Sequence, residues 1–69
     1  MATYHFYLVD QTRTDVSWPR DCSSAEEALA HARYTADELA QDDEYLGFHI
    51  TVADNAGTEI GRVSIGTPN

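Results

Sequence analysis

Between residues 23 and 40 the apolar positions of this chain are mostly alanine, and they fall at helical spacing. Ala25, Ala28, Leu29, Ala32, Ala36, Leu39 and Ala40 recur every three or four residues and form one stripe of small side chains. Such a stripe lets a helix lie close on a flat partner, so the rest of the chain is expected to supply a sheet. Ser23 and Ser24 are good N-caps, and each is followed three residues later by a glutamate (Glu26, Glu27), the spacing of a capping box. Both acids suit the positive end of the helix dipole. Asp42-Asp43-Glu44 puts negative charge where that dipole disfavours it. The helix is therefore expected over about 24–42, with Gly47 marking the stop.

The flanking segments alternate with period two. Residues 4–10 read as a first strand, with Tyr4, Phe6 and Leu8 on one face and His5, Tyr7 and Val9 on the other. Gln11-Thr12-Arg13-Thr14 is a polar turn. A short second strand is expected at 15–18, with Val16 and Trp18 on one face. Pro19 cannot donate to a ladder, so it ends this strand or marks it as an edge. Residues 48–54 read as a third strand, with Phe48, Ile50 and Val52 alternating with His49, Thr51 and Ala53. Asp54-Asn55-Ala56-Gly57 is a hairpin loop. A fourth strand is expected at 58–65, its phase shifted by a bulge near Gly61, before a frayed tail at Gly66-Thr67-Pro68-Asn69.

Two hairpins flanking one helix give an α+β fold of order ββαββ. If strand 2, the helix and strand 3 form a crossover, strands 2 and 3 run in the same direction. Placing strand 1 beside strand 3 then keeps every neighbour antiparallel, in the order 2-1-3-4. One helix covers one face, that of Phe6, Leu8, Phe48, Ile50 and Val52. The other face, with His5, Tyr7, Val9, His49 and Thr51, is left to water or to a partner.

Sixty-nine residues allow one domain, 1–69, with a marginal core. Domains of this size usually lean on disulfides, a metal or self-association. Cys22 is the only cysteine, which excludes an internal disulfide and favours a reducing compartment, here the cytoplasm. Met1-Ala2-Thr3-Tyr4-His5 has no basic region or long apolar run, so no signal peptide is expected, and no stretch approaches a membrane span. Four arginines, no lysine and a net charge of −8 repel phosphate backbones and anionic lipid, which disfavours nucleic acid and membrane as partners.

Several residues invite a functional reading. His5 and His49 share a face on strands expected side by side and could begin a metal site, but zinc needs three or four ligands, and neither His31 nor Cys22 is positioned to join them. No metal or cofactor is therefore expected. Cys22 precedes the helix, yet Asp21, Glu26 and Glu27 disfavour a thiolate there. The same acids oppose an anion held by Arg20, Ser23 and Ser24. Asp42, Asp43 and Glu44 point in different directions and cannot converge on calcium, and residues 54–57 lack the calcium-loop spacing. Phe6 and Tyr7 face opposite sides, which is a poor base-stacking platform. Trp18, beside Pro19 on a short edge strand, either closes the core over the helix start or anchors an interface.

The start Met1-x-x-Tyr4-x-Phe6 with Asp10, the run Ser24-Ala25-Glu26-Glu27-Ala28 and the last hairpin Asp54-x-x-Gly57-x-x-Ile60 together resemble a family of small bacterial, largely alphaproteobacterial, ββαββ domains of unknown function. The resemblance covers nearly the whole chain and implies the fold without an activity or site residues. Ser23-Ser24-Ala25-Glu26-Glu27-Ala28-Leu29 is also similar to the helix start of small antitoxins built from a hairpin and a helix, which implies a basic partner protein.

The functional expectation is a non-catalytic module, not an enzyme, that forms a homodimer through its open sheet face or an edge strand. Tyr7, Val9, His49 and Thr51 would be the buried patch, with Trp18 at its rim. An antitoxin-like inhibitor of a basic protein is the alternative, and a small enzyme or metal-binding domain a distant third.

Overall fold

A computed structural model describes residues 1–10 and 13–66. Strands β1 (Ala2–Asp10) and β2 (Arg13–Cys22) precede helix α1 (Ala25–Leu39) and a 3-10 turn (Asp43–Tyr45); β3 (His49–Ala53) and β4 (Glu59–Ser64) follow. The four strands form one antiparallel sheet in the order β2-β1-β3-β4, as the alternation and the crossover argument require. Gln11 and Thr12 of the expected first turn, and the tail at 67–69, lie outside the described residues.

The helix meets the sheet through its alanines. Ala28, Ala32 and Ala36 are buried against Phe6, Leu8, Ile50, Val52 and Ile65. The close approach is clearest at Gly61, where a Cβ would stand 2.7 Å from Leu29 Cδ2, inside contact distance. Gly61 follows a β-bulge: Val52 pairs with Gly61 but Ala53 pairs with Glu59, so Ile60 is the extra residue and β4 changes phase where the sequence pattern breaks.

Ser24 is the N-cap. Its hydroxyl accepts the Glu27 N–H at 3.2 Å, while the Glu27 carboxylate accepts from the backbone N–H and hydroxyl of Ser23. At its other end the helix stops at Leu39, three residues short of the expected limit. The Asp42 carboxylate takes the Glu44 N–H at 3.0 Å and starts the 3-10 turn instead, a local bond that competes with the helix. Gly47, at φ 93°, then turns the chain into β3.

The second strand is longer than expected. It runs from Arg13 through Pro19 to Cys22, not from 15 to 18, because β2 is an edge strand and can spare the N–H that proline lacks. Its pairing with β1 continues to Ala2↔Cys22 and carries the Cys22 side chain into the core. A bulge leaves Asp15 without an opposite residue, since Leu8 pairs with Val16 and Val9 with Thr14.

Trp18 pairs with Phe6 and therefore lies on the helix side of the sheet. Its ring stacks on Phe6 at 5.6 Å and 11°, and His31 of α1 meets Phe6 edge-on at 5.0 Å. Trp18 thus closes the core near the helix start and does not rim the open face.

Two outcomes follow from this packing. Gly61→Val should lower stability by about 2 kcal/mol through overpacking against Leu29, read as a reduced denaturant midpoint at unchanged m-value, and a Leu29→Ala background should recover part of that loss. His31 has its pKa lowered by burial and then by the nearby Arg20. The unfolded chain then binds more protons than the folded one near and below the ordinary histidine value, so stability should fall as pH drops through about 6.5. His31→Gln should flatten that slope in denaturation curves taken from pH 8 to pH 5.

Candidate functional site: the open sheet face

Strand alternation gives the face away from α1 an ordered set of rows. Ser17, Tyr7, Thr51 and Arg62 form the middle row across β2, β1, β3 and β4. Pro19, His5, Ala53 and Glu59 form the row on one side of it; Thr14, Val9, His49 and Ser64 form the row on the other. Thr3 opposite Asp21 extends the face at one corner. His5, Tyr7, Val9, His49 and Thr51 are all half-buried by their neighbours, and among the described residues no second layer covers them. Of the expected patch, Tyr7, Val9, His49 and Thr51 therefore sit together on the two central strands, with Tyr7 directly opposite Thr51 and Val9 opposite His49.

The two histidines do not meet. His5 pairs with Ala53 and His49 with Val9, so they stand at opposite ends of the central pair, about 13 Å apart along the strands. Adjacent strands satisfied the sequence argument; the register, which the sequence pattern does not fix, separates the rings. Among the described residues no three His, Cys, Asp or Glu side chains converge as metal ligands.

Charge on this face is sparse and already engaged. Glu59 and Arg62 form an ion pair at 3.1 Å, and the Arg62 hydrogen bond holds the Glu59 carboxyl below its ordinary pKa. The Thr3 hydroxyl donates to Asp21 at 2.8 Å. Sequence reasoning missed the ion pair, because the bulge at Ile60 brings two residues three apart in the chain onto one face. A gap in the alternation beside Gly61 was the available signal.

The other sequence candidates have structural occupations. Cys22 is fully buried, and its thiol pKa is pushed up first by burial and then by Glu27 and Asp21, against the opposing effect of Arg20. That is the environment of an inert core thiol. The start of α1, the anion cradle considered for Arg20, Ser23 and Ser24, is filled by Glu27, whose carboxyl is held low first by the Ser23 hydroxyl. Asp42 caps the 3-10 turn, and Asp54 accepts the N–H groups of Ala56 at 3.0 Å and Thr58 at 2.9 Å to shape the last hairpin. No helix among the described residues is long and apolar enough to cross a membrane.

The two sheet edges differ from the open face. β2 carries Pro19, the Asp15 bulge and the charges of Arg13, Asp15, Arg20 and Asp21, and β4 carries the Ile60 bulge. Proline, bulges and charges are the devices that keep an edge strand from pairing with another chain.

No curated protein and no solved structure matches this chain. A family model described as Domain of unknown function (DUF6894) matches residues 3–66, from the second residue of β1 to beyond the end of β4. The match takes in the whole ββαββ unit, and the chain belongs to that family of domains of unknown function.

Proposed function

We propose that this protein is a non-catalytic interaction module that self-associates by packing its open sheet face against that of a second copy. The observation that carries this reading is the segregation of charge. Residues 25–45, the helix and the turn after it, hold seven of the twelve acids and one of the four arginines. The open face holds few charges: Glu59 is ion-paired with Arg62, and Asp21 accepts the Thr3 hydroxyl. Sheet-on-sheet packing at about 10 Å would set the two acidic helix layers outermost, roughly 30 Å apart and several Debye lengths removed. Helix-to-helix association would bring the same charges together. The protected edges of β2 and β4 favour the face over edge pairing, the other route considered from the sequence.

The non-catalytic reading draws on the structural causes of the shifted pKa values, among them that of Tyr34, raised by its hydrogen bond with Glu38. The Glu27 shift belongs to a cap, the Glu59 and Arg62 shifts to an ion pair, and the Cys22 and His31 shifts to core packing. The net charge of −8 disfavours nucleic acid and anionic membrane as partners, and the single buried thiol suits a reducing cytoplasm.

A patch of about 20 by 20 Å on each copy buries roughly 800 Å² in total, below the ~1,000 Å² of stable specific interfaces, so the expected dimer is weak and transient. Light scattering across a dilution series should show a monomer–dimer equilibrium. Tyr7→Asp, at the centre of the face, should weaken it by more than about 30-fold, a hot-spot effect. Val16→Lys, on the helix side of edge strand β2, should leave it unchanged. A monomer at every attainable concentration overturns the proposal. A second reading, an antitoxin-like inhibitor of a basic partner protein, draws on the acidic helix layer; it leaves the open face hydrated and the protein monomeric, so the same series separates the two.

A further inference from the structure

We infer that the two sheets of the dimer meet about a two-fold axis lying across the strands, so that Arg62 of each copy stands over Glu59 of the other. The inference rests on the self-association reading and specifies the geometry of that same surface. A closed pair of identical chains is related by a two-fold axis. With the sheets face to face, the axis lies in the plane between them. Aligned sheet packing leaves two directions for it, along the strands or across them.

The open face has four rows along the strands, marked on β1 by Thr3, His5, Tyr7 and Val9. An axis across the strands lays each strand over its own copy and reverses the order of the rows. Complete overlap of the four requires the axis to pass between the second and the third, and these two rows then exchange. The patch is small for an interface, so any offset that leaves a row uncovered weakens the dimer. Glu59 is the β4 residue of the second row and Arg62 that of the third. The exchange therefore sets Glu59 over Arg62 of the second copy, twice, and joins two ion pairs into a closed set of four alternating charges. On β1 it sets Tyr7 over His5 of the second copy, and on β3 it sets Thr51 over Ala53.

The other packings lack this match. An axis along the strands keeps each row in place and lays β4 over β2 of the second copy. Arg62 would then face Ser17 and Glu59 would face Pro19, neither of which returns a charge. Asp21 of the second copy would come one row from Glu59, acid beside acid. Orthogonal packing carries the charged edge strand over the central strands, where Tyr7, Val9 and Thr51 offer it no counter-charge. The bulge at Ile60 is what makes the arrangement across the strands self-complementary. It sets two residues of opposite sign one row apart on a single face, where regular alternation would leave only one of them. Both remain accessible, with side-chain exposures of 62% for Arg62 and 45% for Glu59. Within one copy Arg62 reaches Glu59 through Nε and Nη2. A guanidinium carries five donors, so others stay free for a second carboxylate.

The test is charge reversal in the full chain, read by sedimentation, with circular dichroism showing that each variant is folded. Glu59→Arg and Arg62→Glu each make the site like-charged in a homodimer, and each alone should dimerise at least about 10-fold more weakly than the native chain. Mixed in equal amounts, the two should form a heterodimer at least about 10-fold tighter than either homodimer, because one copy presents two cations to the two anions of the other. Both variants stay net negative, so bulk attraction does not produce that heterodimer. Either variant dimerising as well as the native chain overturns the inference. So does a mixture that associates no better than its components while the native chain dimerises, which leaves self-association standing on another geometry. A native chain that is monomeric at every attainable concentration overturns both the inference and the reading on which it rests.

Discussion

The close seating of an alanine helix on one face of the sheet is the constraint from which the rest of this structure follows. Ala28, Ala32 and Ala36 contribute little volume, so the core is filled from the sheet side by Phe6, Ile50, Val52 and Ile65. The short distance between the layers also needs Gly61 beneath Leu29, and Gly61 comes with the bulge that changes the phase of β4. One feature of the helix thus reaches across the sheet to its far edge. It explains why Arg62 and Glu59 share the open face, although regular alternation would have set them on opposite sides.

Much of this was legible in the sequence, because the features that set it are local. The strand faces followed from period-two alternation, the helix from its alanine spacing and double serine cap, and the bulge from the break beside Gly61. The strand order followed from one argument about direction. The failures occurred where a tertiary circumstance overrode a local signal. Pro19 is a good strand breaker only for strands that must donate on both sides, and β2 is an edge. On a short strand Trp18 has two places open to it, the core over the helix start and the rim of the interface. The longer β2, in register with Phe6, turns the ring onto the core. The candidate face was readable to the level of which residues share it. Which of them touch was not, since period two is blind to a shift of two residues, and such a shift decides whether His5 and His49 meet.

Asymmetry between the layers gives the molecule two different surfaces. The helix layer is strongly negative, and the open face carries few charges, of which Glu59 and Arg62 neutralise each other. An acidic composition is often read only as a bias toward solvation. Here its distribution has a direction: it penalises the approach of a second copy through the helix and leaves the opposite face with little charge to desolvate. The bulged, charged edges are poor pairing strands, which favours the open face as the surface we propose for self-association.

Size supplies the last step. A chain of 69 residues buries a modest core, and proteins in this range commonly gain stability from a disulfide, a metal or a partner. The one cysteine is enclosed in the core and has no second thiol within the chain to bond. The histidines that share a face are held apart by the register, and the described carboxylates, thiol and imidazoles form no ligand set. The self-association proposed above would supply such help, since a partner that binds only the folded state adds to its stability by mass action. The half-buried aromatic and β-branched side chains of the open face are the apolar surface that such a partner would cover. In the proposed dimer, folding and self-association would draw on the same sheet from its two sides, and the register that holds the core together would also set the pattern that a second copy meets.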